Sequence, residues 1–229
     1  MNIVVNPDLQ AYIDPLSPEE HAALERSLLA EGCRDALVLW GDVLVDGHNR
    51  YGICRQHDLP FRTVQNERFR SIEDVHLWMI DQHLGRRSVS DFQRGVLALR
   101  KKEILSAREA AVRADDAPAA AAPPVADDAG PALPPAPPLQ TREDIARAAR
   151  VSSSQMGMIE KIRKQAAPEV VAAVKSGTIS INAAAAVASL PAEEQVAAAT
   201  AGADELKQAA RRAREARRLP SVSAPSSQR

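Results

Sequence analysis

Val43-Leu44-Val45-Asp46-Gly47-His48-Asn49-Arg50-Tyr51 is the stretch that decides how this chain is read. A short apolar run ends in Asp-Gly and gives way to residues at helical spacing, Tyr51 and then Cys54. The pattern predicts a strand that turns through glycine into the start of a helix. The first N–H groups of a helix have no partner within it, and the helix dipole adds partial positive charge at that point. Arg50 adds a full charge, so the turn has the chemistry to hold a phosphate or another anion. Asp-Gly is equally at home in an ordinary turn. Asp46 accordingly reads as a turn or cap residue before it reads as a general base, and His48 as a phosphate or structural contact before an acid.

The flanking segments give this turn a setting. Upstream, Ala36-Leu37-Val38-Leu39-Trp40 and Val43-Leu44-Val45 surround Gly41-Asp42, which predicts a hairpin. Before it, Ser17-Pro18-Glu19-Glu20 supplies an N-cap, a first-turn proline and first-turn acids. Leu24, Leu28 and Leu29 follow at helical spacing, and Gly32 is the expected stop. Downstream, the helix from Gly47 is expected to end near Asp58, ahead of Pro60, with Arg62–Gln65 as a further strand. Ile72, Val75, Trp78 and Met79 share one face of the next helix and read as core. After the basic step Arg86-Arg87 another helix carries Val96, Leu97 and Leu99.

Residues 114–139 hold eight of the sixteen prolines, among alanines and the pairs Asp115-Asp116 and Asp127-Asp128. Such a composition buries no core and predicts a disordered, partly polyproline linker, able to span about 80 Å when extended. Net charge is −2 before the linker, −4 within it and +5 after it, so the C-terminal part is the better match for a polyanion. Met1–Pro7 lacks the basic and apolar regions of a signal peptide, and no apolar run has the length of a membrane span. With only Cys33 and Cys54, reduced packed thiols of a cytoplasmic protein are expected rather than a disulfide framework.

Beyond the linker the chain reads as all helix. Thr141-Arg142-Glu143-Asp144 is a helix start, and residues 141–164 carry the spacing of a helix-turn-helix. Ile145 and the small Ala146 lie on the first helix, Val151 follows the turn, and Met156 and Ile159 lie on the second. That leaves Ser152, Ser153, Ser154, Gln155, Lys161 and Lys164 as candidate contacts to bases and phosphates. Arg150 stands where such turns usually have glycine, and an ordinary helical hairpin is the competing reading. Residues 203–218 form a strongly basic helix, suited equally to solvent and to phosphate contact.

In the order of these elements the chain resembles the ParB family, whose N-terminal domain belongs to the ParB/sulfiredoxin superfamily. Gly32-Cys33-Arg34-Asp35-Ala36-Leu37 is similar to its first phosphate motif, and Gly47-His48-Asn49-Arg50 stands where the second has glycine, an acid and two arginines. Asp81-Gln82 through Arg86-Arg87 is similar to the third. The resemblance implies an α+β ParB/sulfiredoxin-like nucleotide-pocket domain (1–113), a disordered linker (114–140), an all-α helix-turn-helix domain (141–190), and a basic helix with a flexible tail (191–229).

By position, Gly32, Arg34, Gly47, His48, Asn49 and Arg50 would line a triphosphate site, with Arg86 and Arg87 beside it. The implied ligand is CTP or another nucleoside triphosphate, with Mg2+ as its companion ion. The implied partners are double-stranded DNA, a second copy in a homodimer and a partition ATPase, with no membrane. The implied role is plasmid or chromosome partition or transcriptional regulation. His48-Asn49 supplies neither the usual acid nor the usual first arginine, which leaves base identity and weak CTPase-like hydrolysis open and assigns no catalytic residue. No basic N-terminal tail and no separate dimerisation domain are read, which points to a plasmid-, phage- or element-borne relative. The alternative is a small-molecule kinase or other phosphate-transfer enzyme of the superfamily. Sulfiredoxin-like chemistry would need a cysteine where Gly47 stands, and no metal site is expected from the scattered histidines.

Overall fold

The structure is a computed structural model that describes residues 2–86, 89–115 and 141–218. Among these, residues 2–82 form one compact unit, and residues 83–112 with 141–218 form a second.

The first unit begins with α1 (Pro7–Ala11), capped by the Asn6 side chain, which accepts the Asp8 N–H at 2.8 Å. Helix α2 (Pro18–Glu31) opens on a reciprocal capping box between Ser17 and Glu20 and stops at Gly32, whose φ is +74°. Strands β1 (Leu37–Trp40) and β2 (Val43–Asp46) pair antiparallel through the Gly41-Asp42 turn, as the hairpin pattern predicts. Strand β3 (Thr63–Gln65) lies parallel to β1 on its other side, giving the order β2-β1-β3. Helix α3 (His48–Gln56) follows β2 directly, and α4 (Ile72–Gly85) follows β3.

Successive strand residues face opposite ways, so each strand feeds two layers. Leu37, Leu39 and Leu44 are fully buried with Tyr51 of α3 and Phe61 against them. On the opposite face Val45 is buried with Leu9, Phe69, Val75 and Met79, flanked by Trp40 and Trp78. The pairing slips by one residue, Val38 opposite Asp46 but Leu39 opposite Leu44. This bulge leaves Val45 as the extra residue of β2, between the partners of Val38 and Leu39. The sequence pattern did not announce one further pairing. Val4 bridges to Val43 in parallel, its N–H on Asp42 O and its carbonyl taking the Leu44 N–H, which covers the outer edge of β2.

The second unit is helical: α5 (Asp91–Asp115), α6 (Arg142–Ala149), α7 (Ser153–Gln165), α8 (Pro168–Lys175), α9 (Ile181–Val187), α10 (Ala192–Ala201) and α11 (Ala203–Arg218). Its core joins Phe92, Ala98 and Leu99 of α5 to Ile145, Met156, Ile159 and Ile162 of α6 and α7. The 1–113 boundary drawn at the linker therefore does not coincide with the packing, because α5 belongs to this core. Gly95 makes that possible: a Cβ there would lie 2.4 Å from Ile159 Cδ1. Arg94 Nε donates to Ala149 O at 3.0 Å, and Arg163 pairs with Glu103 at 2.7 Å.

Residues after 190 are likewise part of the same core, through Ala198, Leu206, Ala209 and Ala210. Gln195, buried at 2% exposure, accepts the Ala167 N–H and donates to the carbonyls of Gln165 and Leu190. It thereby ties α10 to the turn between α7 and α8. The expected linker beyond Asp115 and the tail beyond Arg218 lie outside the described residues. No helix among the described residues is long and apolar enough to cross a membrane.

Candidate phosphate site and nucleic-acid surface

The turn between β2 and α3 is built around Gly47, whose φ of +96° is left-handed. A Cβ at this position would sit 2.6 Å from Leu37 Cδ2, so glycine is required both by backbone conformation and by space. The first backbone bond of α3 runs from the Tyr51 N–H to Gly47 O at 2.8 Å, and no side chain caps the helix. The N–H groups of His48, Asn49 and Arg50 are thus the unmatched donors of an uncapped N-terminus, and the Asn49 side chain is exposed beside them.

Arg50 is not an isolated cation. Its Nη2 holds Asp46 Oδ2 at 2.8 Å, with both side chains largely buried. Its Nη1 reaches the Asp35 carbonyl at 3.3 Å and the Asp35 carboxylate at 3.4 Å. Two sequence motifs thereby meet, since Asp35 belongs to the Gly32–Leu37 segment and Arg50 to the Gly47 segment. The loop carrying Asp35 is also held by Arg62, whose Nη2 donates to Arg34 O at 2.7 Å. Arg62 is a residue that sequence reasoning missed, because only folding brings β3's entry beside this loop. Arg34 itself is exposed and pairs with Glu31 at 2.8 Å.

His48 hydrogen-bonds the Leu44 backbone, and its Nε2 is buried with no hydrogen-bond partner. Burial pushes its pKa below the ordinary value, against smaller opposing effects of Asp46 and the Leu44 bond, which favours a neutral ring at pH 7. Cys54, one turn beyond Arg50, is pushed up to about 11 by burial and then by Cys33, with Arg50 pulling the other way. It stays a thiol at neutral pH and serves as packing rather than as a nucleophile. Arg86 follows α4, its N–H on His83 O at 3.1 Å, and falls in the second unit. Arg87 lies outside the described residues. Among the described residues no group of three or more His, Cys, Asp or Glu side chains is placed to hold a metal.

No protein-family model matches the sequence, and no curated protein matches it. Solved structures do match. A pNOB8-like ParB N-domain shares 13% identity, covers 82% of this chain and 76% of its own, and superposes with a TM-score of 0.54. A second structure of that domain gives 14% identity, 82% and 71% coverage, and a TM-score of 0.51. The C-terminally truncated chromosome-partitioning protein ParB from Caulobacter crescentus, complexed to the centromeric parS site, gives 16% identity, 92% and 96% coverage, and 0.43. The chain has the ParB N-domain fold.

The second unit places α6 and α7 on either side of a short turn. Thr141 and Asp144 cap α6, and Ser152 and Gln155 cap α7, each as a reciprocal box. Between them Arg150 takes φ +54°, the left-handed conformation that glycine normally supplies, and the Val151 N–H returns to Ala146 O at 3.0 Å. Arg150 thus adopts the left-handed conformation itself. Ser152, Ser153 and Ser154 are exposed at the start of α7, and Lys164 is exposed at its end. Gln155 and Ser152 hydrogen-bond each other, and Lys161 is turned to the Ser189 hydroxyl. The described side chains of α11 divide sharply: Leu206, Ala209, Ala210 and Ala213 face the core, while Arg211, Arg212 and Arg214 are exposed.

Proposed function

We propose that this chain is a ParB-like DNA-binding protein of partition or transcriptional control. In this reading the first unit holds a nucleoside triphosphate of the CTP class with its Mg2+, and α6–α7 of the second unit engages double-stranded DNA. The protein works in the cytoplasm as a homodimer, with a partition ATPase as partner where partition is the role.

The observation that carries the proposal is the uncapped start of α3 behind Gly47. A Cβ-free turn, three backbone donors and the Arg50 guanidinium converge where a phosphate needs them. These features fit a phosphate ligand. Its phosphates would be held by the N–H groups of His48–Arg50, by Arg50 and by the Gly32–Asp35 loop. The kinase alternative is less well supported: its nearest carboxylate base, Asp46, already holds Arg50 at 2.8 Å.

For DNA, the exposure of the serines at the N-terminus of α7 supports reading that helix as the recognition helix, with Lys164 and the exposed arginines of α11 as phosphate contacts. A gel-shift of the full chain on duplex DNA over a salt series tests this half. Binding that weakens steeply with salt supports it, and no shift at low salt overturns it. Titration of CTP and ATP against the wild type and Arg50→Ala tests the other half. Wild-type binding that the variant loses supports the pocket.

A further inference from the structure

We propose that Asp35 is a built-in competitor for phosphate at Arg50, and that its carboxylate sets how tightly the first unit takes a triphosphate. This rests on the phosphate reading of α3 and names the residue that regulates that site.

The two carboxylates on Arg50 are unequal partners. Asp46 lies one helical turn before it, 2.8 Å away, with side-chain exposures of 20% and 17% for Asp46 and Arg50. That pair is sheltered, and it fixes the guanidinium against the end of β2. Asp35 approaches the other terminal nitrogen at 3.4 Å with its side chain 88% exposed. A fully hydrated carboxylate at that distance gains little from the contact, and salt screens it. It is the exchangeable member, standing at the terminal guanidinium nitrogen, Nη1, while Asp46 holds Nη2.

A phosphate oxygen arriving at the N-terminus of α3 meets this carboxylate in one of two ways. It displaces Asp35 from Nη1, or it binds beside an uncompensated negative charge. Either way the carboxylate weakens binding, because like charges within a few ångströms repel. The loop does not need that carboxylate to keep its course. Its carbonyls are held by Arg62 at Arg34 O and by Arg50 at Asp35 O, and the Leu37 N–H returns to Arg62 O at 2.8 Å. Asp35→Asn keeps each of these backbone contacts and removes only the charge.

Inorganic tripolyphosphate and CTP are titrated against the full-length wild type, Asp35→Asn and Asp35→Glu, with Asp35→Ser as a second neutral variant should the amide perturb folding by circular dichroism. The neutral variants are expected to bind roughly three- to ten-fold tighter at low ionic strength, with the gain shrinking toward about 0.5 M salt. Asp35→Glu, which keeps the charge, should stay within about twofold of wild type. Neutral variants that bind no tighter than a wild type that does bind would overturn the proposal and leave the phosphate site standing. Absence of binding by wild type and variants alike would overturn both.

Discussion

Gly47→Ala is the perturbation that presses hardest on the turn at the centre of the first unit. Two costs combine. At φ +96° an L-residue is strained by about 1–2 kcal/mol, and a Cβ placed 2.6 Å from Leu37 Cδ2 must push a fully buried side chain aside. Overpacking a filled core of this kind costs about 1–3 kcal/mol, so the sum is roughly 2–5 kcal/mol. Gly41→Ala supplies the control: φ is +61° and nothing lies within 4 Å, so only the backbone strain of about 1–2 kcal/mol applies. Both tryptophans, Trp40 and Trp78, lie in the first unit, so urea unfolding followed by their fluorescence reports on that unit. Gly47→Ala should unfold at clearly lower urea than Gly41→Ala. Equal midpoints would refute the reasoning, because they would mean that Leu37 does not close the turn.

Gln195→Leu leaves the Ala167 N–H and the carbonyls of Gln165 and Leu190 unpaired in a buried site, so the helical unit should lose about 2–4 kcal/mol by circular dichroism. A change under about 0.5 kcal/mol would mean that water replaces the amide. His48, with its folded pKa held below 6.5, takes up its proton more readily when unfolded. Its contribution is complete above pH 6.5 and declines as pH falls toward its folded pKa. The urea midpoint should therefore drop more steeply with acidification in wild type than in His48→Gln; parallel profiles would contradict a buried, neutral ring.

The parts of the fold that were legible in the sequence are those settled by neighbours along the chain. The β1–β2 hairpin, the N-cap at Ser17, the stop at Gly32 and the β2–Gly47–α3 turn all rest on residues within a few positions of one another. Arg50's bond to Asp46 is of the same kind, four residues back on the entry to a helix. Its meeting with Asp35 is not, because that depends on where the loop after α2 comes to rest. The assignment of α5 to the helical unit was hidden for a stronger reason. Its partners Ile145 and Ile159 lie beyond the proline-rich segment, and the signal that they touch is a single unremarked glycine, Gly95. Gln195 was equally silent, since a glutamine on an alanine-rich helix looks like a surface residue until three backbone groups converge on it.

The central claim is that the start of α3 receives the phosphates, and amide hydrogen exchange on the full chain with and without CTP tests it most directly. The N–H groups of His48, Asn49 and Arg50 have no acceptor within the helix and should exchange fast in the free protein. Saturating CTP should slow exchange in peptides covering Asp46–Tyr51 and the Gly32–Asp35 loop, and Arg50→Ala should abolish the effect. Exchange there that is unchanged by CTP would contradict the account.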